Sequence, residues 1–234
     1  MTSMNNMNKI ESLLNNEFIS HYKISSKNVN VCSLLSNEVD FDLADNNTVP
    51  FKILPFGGGS VSFHNKKGEL EILHYENFIN QCKKPSSFLN GRKKCDYLLA
   101  HTDISGTVLL LEITSASGSG SNLSKPILKR TNPSVVQYRG GKYEKCEDQL
   151  HSSLSDLMNV PLVKNVLGSY SRKICLMAYR INHPKSNYES RPYGRYLDIE
   201  TNATLANGAI VSCKKIEALG FEYRRIKHGV TFNL

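Results

Sequence analysis

Residues Lys93–Ser117 read KKCDYLLAHTDISGTVLLLEITSAS. Two apolar runs, Cys95–Ala100 and Thr107–Ile113, flank a turn at Asp103–Gly106. Val, Leu, Ile and Tyr favour strands, and Asp-Ile-Ser-Gly supplies turn chemistry, so the stretch predicts a β-hairpin. Each run carries one carboxylate: Asp96 near the start of the first, Glu112 near the end of the second. In an antiparallel hairpin those two ends lie side by side. A carboxylate in an apolar sheet is costly unless it is paired, hydrogen-bonded or bound to metal. The acids are therefore either solvated strand ends or a convergent pair at one edge of a buried ribbon.

The rest of the chain is arranged around that ribbon. Asn5–Ser20 has Ile10, Leu13, Leu14 and Phe18 at helical spacing. Val29–Leu35 reads as a strand, and Asp40–Asn47 as a solvated acidic loop. Phe51–Leu54 and Val61–Phe63 are short apolar runs around Pro55 and Gly57–Gly59. A phosphate loop needs Gly-Lys-Ser/Thr opening a helix. Here Ser60 leads into Val-Ser-Phe, so the glycines read as a connection between strands. Glu69–Leu73 is expected to pair with Val61–Phe63, and Tyr75–Cys82 to form a short helix. Ser115–Gly140, rich in Ser, Gly and Asn, reads as a long mobile basic loop carrying Lys125, Lys129, Arg130 and Arg139. Lys142–Asn159 is the clearest helix: Leu150, Leu154, Leu157 and Met158 form its apolar stripe, and Pro161 follows. Arg172–Arg180 reads as a buried strand and His183–Arg195 as a polar loop. Ile210–Cys213, Phe221–Ile226 and Val230–Phe232 read as short strands. A strand pair, a crossing helix and a further strand predict an α/β fold with a central mixed β-sheet flanked by helices. The expected division is an N-terminal helical or irregular appendage over residues 1–50 and one α/β domain over residues 51–234.

Charge narrows the partners. The net charge is +8 with a pI near 9.1, which suits a polyanion such as nucleic acid. Basic residues cluster in Lys125–Lys145 and Arg224–His228; Arg224 and Arg225 either contact phosphate or sit on a solvated strand face. There is no run of eighteen apolar residues, so no membrane span is expected. The N-terminus has no basic-then-apolar signal pattern, and the expected location is cytoplasmic. Sequons at Asn46, Asn122 and Asn202 carry little weight without one. None of the six cysteines forms a C-x-x-C pair, against a zinc ribbon or a thioredoxin-type site. They are expected to be reduced, buried, small hydrophobes.

Asp96, then Glu112-Ile113-Thr114, then Gln149 on the following helix resemble the PD-(D/E)xK nuclease superfamily over roughly Arg92–Arg180. The resemblance implies a restriction-endonuclease-like core and metal-dependent hydrolysis of phosphodiester bonds. It implies Mg²⁺ or Mn²⁺ held by Asp96 and Glu112, with Gln149 beside them, in a setting such as restriction or phage defence. The implied partner is nucleic acid, DNA ahead of RNA, contacted by Lys125, Lys129, Arg130, Arg139, Lys142, Arg224 and Arg225; a homodimer or a partner protein stays open. Strand alternation sends Ile113 into the core and residue 114 back to the metal face. There the family usually has Lys and this chain has Thr114, which only hydrogen-bonds. Lys145, with Lys142 second, is the candidate replacement cation, since Lys145 and Gln149 lie four residues apart on one helix face. Among the upstream acids Glu69, Glu71 and Glu76, Glu76 is chosen as a third acidic group. His101 is expected to be a packed or surface histidine. Two alternatives stay beside the nuclease: a catalytically inactive module of that fold which binds nucleic acid or protein, and an unrelated α/β protein in which the two acids coincide.

Overall fold

The structure, a computed structural model, describes residues 9–25, 29–45, 51–82, 93–116, 125–129, 132–139, 141–181 and 203–234. The chain opens with α1 (Lys9–Leu13), a π-helical turn (Leu14–Phe18) and α2 (Ile19–His21). Strands β1 (Ser33–Ser36), β2 (Asp40–Leu43), β3 (Val61–His64) and β4 (Leu70–Leu73) follow, then α3 (Tyr75–Gln81). The predicted ribbon is β5 (Tyr97–His101) and β6 (Thr107–Ala116). Next come β7 (Lys125–Lys129), β8 (Asn132–Arg139), α4 (Gly141–Met158), α5 (Pro161–Ser169) and β9 (Arg172–Ile181). The chain finishes with β10 (Ala209–Ile210), α6 (Lys214–Glu217), β11 (Glu222–Lys227) and β12 (Thr231–Asn233).

Seven strands form a central mixed sheet in the order β1-β4-β5-β6-β9-β11-β10. The β1-β4-β5-β6 half is antiparallel, whereas β9 and β11 run parallel to β6. Parallel neighbours need a crossover, and α4 with α5 supplies it between β6 and β9. One face of the sheet packs on helices: Val108 and Leu110 of β6 meet Cys146, Leu150 and Leu154 of α4 and Phe78 of α3 in one cluster. The other face packs on a three-stranded sheet of order β12-β3-β2, through Leu109, Leu111 and Ile113 against Phe41, Phe63 and Phe232. Strands buried on both faces read as unbroken apolar runs, which is why VLLL and ICLMA are uniformly hydrophobic. Burying each such side chain contributes about 1.5–3 kcal/mol.

Several expectations are corrected. The described residues among 1–50 pack into the domain rather than standing apart from it: Ile10, Leu14 and Phe18 are fully buried in the helix-side core, and β1 and β2 join the two sheets. Asp40–Asn47 is not a solvated loop, because Asp40–Leu43 alternates Asp with Phe41 and Leu43 and pairs with β3; residues 46–47 lie outside the described residues. Strand β3 does not pair with β4. It pairs with β2 and with the C-terminal β12, while β4 joins the central sheet. The segment 115–140 is not a bare loop, since β7 and β8 pair as an antiparallel ribbon. Helix α5 was not foreseen; Pro161 at its first turn starts it rather than merely ending α4. The loop expected over His183–Arg195 lies outside the described residues. The glycine run leads into β3 as expected. Gly59 is fixed by space, since a Cβ there would lie 2.6 Å from the Asp42 Cβ and 2.7 Å from the Leu43 carbonyl oxygen.

Candidate active site

The hairpin turn brings the start of β5 beside the end of β6. Tyr97 pairs with Leu111, and one step further the register sets Asp96 opposite Glu112. The Asp96 amide donates to the Leu111 carbonyl at 3.0 Å. Alternation sends Leu98 and Val108 to the helix side, and Asp96 and Glu112 continue those rows. Both are buried, 7% and 4% exposed. Asp96 Oδ2 accepts from the Ile113 amide at 2.6 Å. Glu112 Oε2 has no hydrogen-bond partner among the described residues.

Both carboxyls are pushed above the usual carboxylate range. Burial is the main cause for each, because desolvation disfavours the charged form. The Ile113 amide opposes the rise at Asp96; at Glu112 the neighbouring Asp96 charge adds to it. Asp45 and Glu76 raise both further, whereas Lys145 lowers both. Lys145 projects from the second turn of α4 and is exposed. Its charge is felt at both carboxyls.

Gln149 lies one turn along α4. Its Nε2 donates to the Lys94 carbonyl at 2.9 Å, two residues before Asp96, while its Oε1 is buried without a partner among the described residues. Ser153, a further turn along, accepts from the Cys95 amide at 2.8 Å. Together these bonds tie α4 to the start of β5. Thr114 returns to the helix side and is half-buried, and its hydroxyl hydrogen-bonds the Cys146 thiol. Ile113 faces the opposite core. Glu76 opens α3, and its amide donates to the Asp96 carbonyl at 3.1 Å.

The anticipated nucleic-acid contacts separate into three groups. Arg225 is 6% exposed; its Nη2 meets Glu147 Oε1 at 2.7 Å, its Nε donates to the Tyr223 hydroxyl, and its guanidinium lies 4.0 Å from the Tyr143 ring centre. It joins β11 to α4 and is committed there. Arg224 pairs with Glu222 and donates to the Asn207 carbonyl. Lys125 and Lys129 lie on β7, Arg139 on β8 and Lys142 in the first turn of α4; Arg130 lies outside the described residues. His101 is packed: Thr107 N donates to its Nδ1 at 2.9 Å, and its Nε2 donates to Asn65 Oδ1 at 3.0 Å.

Asp45, Lys93, Lys94 and Lys215 carry no site role in the sequence pattern. Lys93 and Lys94 immediately precede Cys95-Asp96, a local signal that was available. The others arrive by tertiary contact.

Among the described residues no three His, Cys, Asp or Glu side chains gather closely enough to hold a metal by themselves. The donors present are oxygens: the Asp96 and Glu112 carboxylates and the unpartnered Gln149 Oε1. That set fits a hard cation such as Mg²⁺, which commonly takes one or two carboxylates and keeps its waters. No family model matches the sequence, and neither a curated protein nor a solved structure matches it.

Proposed function

We propose that the chain is a metal-dependent nuclease whose catalytic centre is the Asp96–Glu112 pair. The observation that carries this reading is the Glu112 carboxylate, buried opposite a second carboxylate with one oxygen unpartnered. Such an arrangement is costly for folding and suited to a cation. Support comes also from element order. The strand after Asp96, the strand carrying Glu112, a crossover helix and a further strand follow one another in the order that the resemblance implies.

A bound divalent cation would stabilise charge on the scissile phosphate and lower the pKa of a bound water. Asp96 and Glu112 contribute the anionic oxygens. Asp96 is oriented by the Ile113 amide. Lys145 supplies the cation for which Thr114 is no substitute: its ammonium, beside the pair, stabilises developing negative charge on the phosphate oxygens. Gln149 fixes α4 against the Lys94 carbonyl. Thr114 acts through Cys146, helping to seat α4.

The test is cleavage of plasmid DNA and of RNA with Mg²⁺ or Mn²⁺, beside Asp96→Asn and Glu112→Gln. Cleavage by the wild type alone supports the reading; equal cleavage by all three overturns it. A second reading, a nucleic-acid-binding module that has lost catalysis, draws on Thr114 being bonded to Cys146. It wins if wild type never cleaves and Thr114→Lys does.

A further inference from the structure

We infer that a phosphodiester backbone is held across α4 by Lys93, Lys94 and Lys215, a surface distinct from the basic segments that the sequence singles out. The inference rests on the reading above and adds to it the place where the substrate lies.

Three contacts locate the surface. Lys93 and Lys215 both ion-pair with Asp148 of α4, one on each of its carboxylate oxygens. Lys93 comes from the approach to β5 and Lys215 from α6, so two separate segments bring ammonium groups to one point on the helix. Two ammoniums on one carboxylate leave a net positive charge, and both lysines keep solvent exposure, 50% and 33% of the side chain. Lys94 adds a third ammonium, held by Asn80, and its carbonyl is the acceptor for Gln149. Lys214 precedes Lys215 and is exposed. His151 extends the same face, and burial together with Lys215 lowers its pKa. The row thus runs from α6 over α4 to the residues just before Asp96, and ends at the carboxylate pair.

The complementarity is specific in its chemistry. The pair repels anions until a cation neutralises it, so a polyanionic substrate needs attachment points beside the pair rather than on it. Solvent-facing ammoniums gathered beside a helix can engage backbone phosphates, and each neutralised phosphate releases a counterion. Arg224 and Arg225 do not serve, because their side chains are enclosed, 16% and 8% exposed, whereas Lys93 and Lys215 reach solvent.

The experiment is fluorescence anisotropy with a labelled 20-base-pair DNA duplex and, in parallel, a 20-nucleotide single-stranded RNA. EDTA is present, so cleavage plays no part. Full-length Lys93→Glu/Lys94→Glu/Lys215→Glu is compared with Lys67→Glu/Lys164→Glu/Lys173→Glu. The second set lies at the other end of the sheet and changes net charge equally. The expected result is at least about tenfold weaker binding and a shallower salt dependence for the first set, with less than about threefold change for the second. Equal weakening by both sets, no effect of the first, or no binding by wild type overturns the inference. Should the first set fail to fold by circular dichroism, Lys93→Gln/Lys215→Gln carries the same comparison. The two readings separate cleanly: selective loss of binding without any Mn²⁺-dependent cleavage keeps this surface and removes the nuclease. Cleavage that survives the first triple at unchanged KM does the reverse.

Discussion

Two buried glutamates on the central sheet have opposite surroundings. Glu71 of β4 is 1% exposed and Glu112 of β6 is 4% exposed. Glu71 is fully employed: Oε2 accepts from the Ile10 amide at 3.0 Å and Oε1 from the Glu11 amide at 2.7 Å. Those amides are in the first turn of α1, where helix donors lack partners of their own. The carboxylate therefore fastens the N-terminal helix to the sheet. Glu112 faces another carboxylate and leaves an oxygen unpartnered. The same residue type at similar burial is an anchor in one place and a strained, ligand-seeking group in the other. Burial alone does not distinguish the two acids; the missing donors do.

The comparison breaks most sharply on activity. Glu112→Gln should reduce Mn²⁺-dependent cleavage by about a thousandfold or more, equivalent to roughly 4 kcal/mol of barrier. It should leave the metal-free protein at least as stable as wild type, because it removes a buried acid whose ionised form burial disfavours. Parallel cleavage assays and thermal melts check both halves. A variant that melts earlier and still cleaves would reverse the assignment.

Glu71→Ala should do the converse. Two charge-assisted hydrogen bonds are lost and two amides are stranded, at a cost on the order of 3 kcal/mol. Urea unfolding should show the loss, and cleavage per folded molecule at low temperature should stay close to wild type.

Lys145→Ala should lower the cleavage rate about a hundredfold, roughly 2.7 kcal/mol, while DNA affinity in EDTA changes little. If Lys145→Ala and Lys142→Ala both cleave like wild type, no α4 lysine replaces the one missing at Thr114.

The smallest effect is in pH. Both Asp96 and Glu112 have folded-state pKa values raised above those of the unfolded chain. Above about pH 4 the folded form therefore holds more protons than the unfolded form, and stability falls as pH rises through neutrality. Without metal, the melting temperature should be higher at pH 5 than at pH 8. Mg²⁺ competes with those protons, so its stabilisation should grow with pH. A pH-independent Mg²⁺ effect would mean that the cation binds elsewhere.

The central ribbon, α3, α4 and β9 were legible because each is a local run whose pattern declares its type. The register that sets Asp96 against Glu112 was legible too, since it needs only the turn between them. Strand β2 was lost because two aspartates in Asp-Phe-Asp-Leu outweighed a period of two that was present. The β7–β8 ribbon was hidden by a proline in each strand, Pro126 and Pro133, residues that ordinarily argue against one. Pairing of β3 with β12 joins residues far apart in sequence, and no local pattern announces it. Lys145 could be chosen by helical spacing from Gln149, whereas Lys215 reaches Asp148 only after α6 has docked.

The tight turn at Asp103–Gly106 has a consequence for the order of assembly. The two acids are 16 positions apart in sequence and meet as soon as a single hairpin zips, an event on the microsecond scale. Lys145 reaches them only after the long excursion through β7 and β8 and the docking of the crossover against β9, which are slow, non-local steps. Repulsion between the acids is thus built early and eased late. On the proposed reading of the pair as a cation site, a divalent cation should therefore speed refolding, by neutralising the acids before the ammonium is in place.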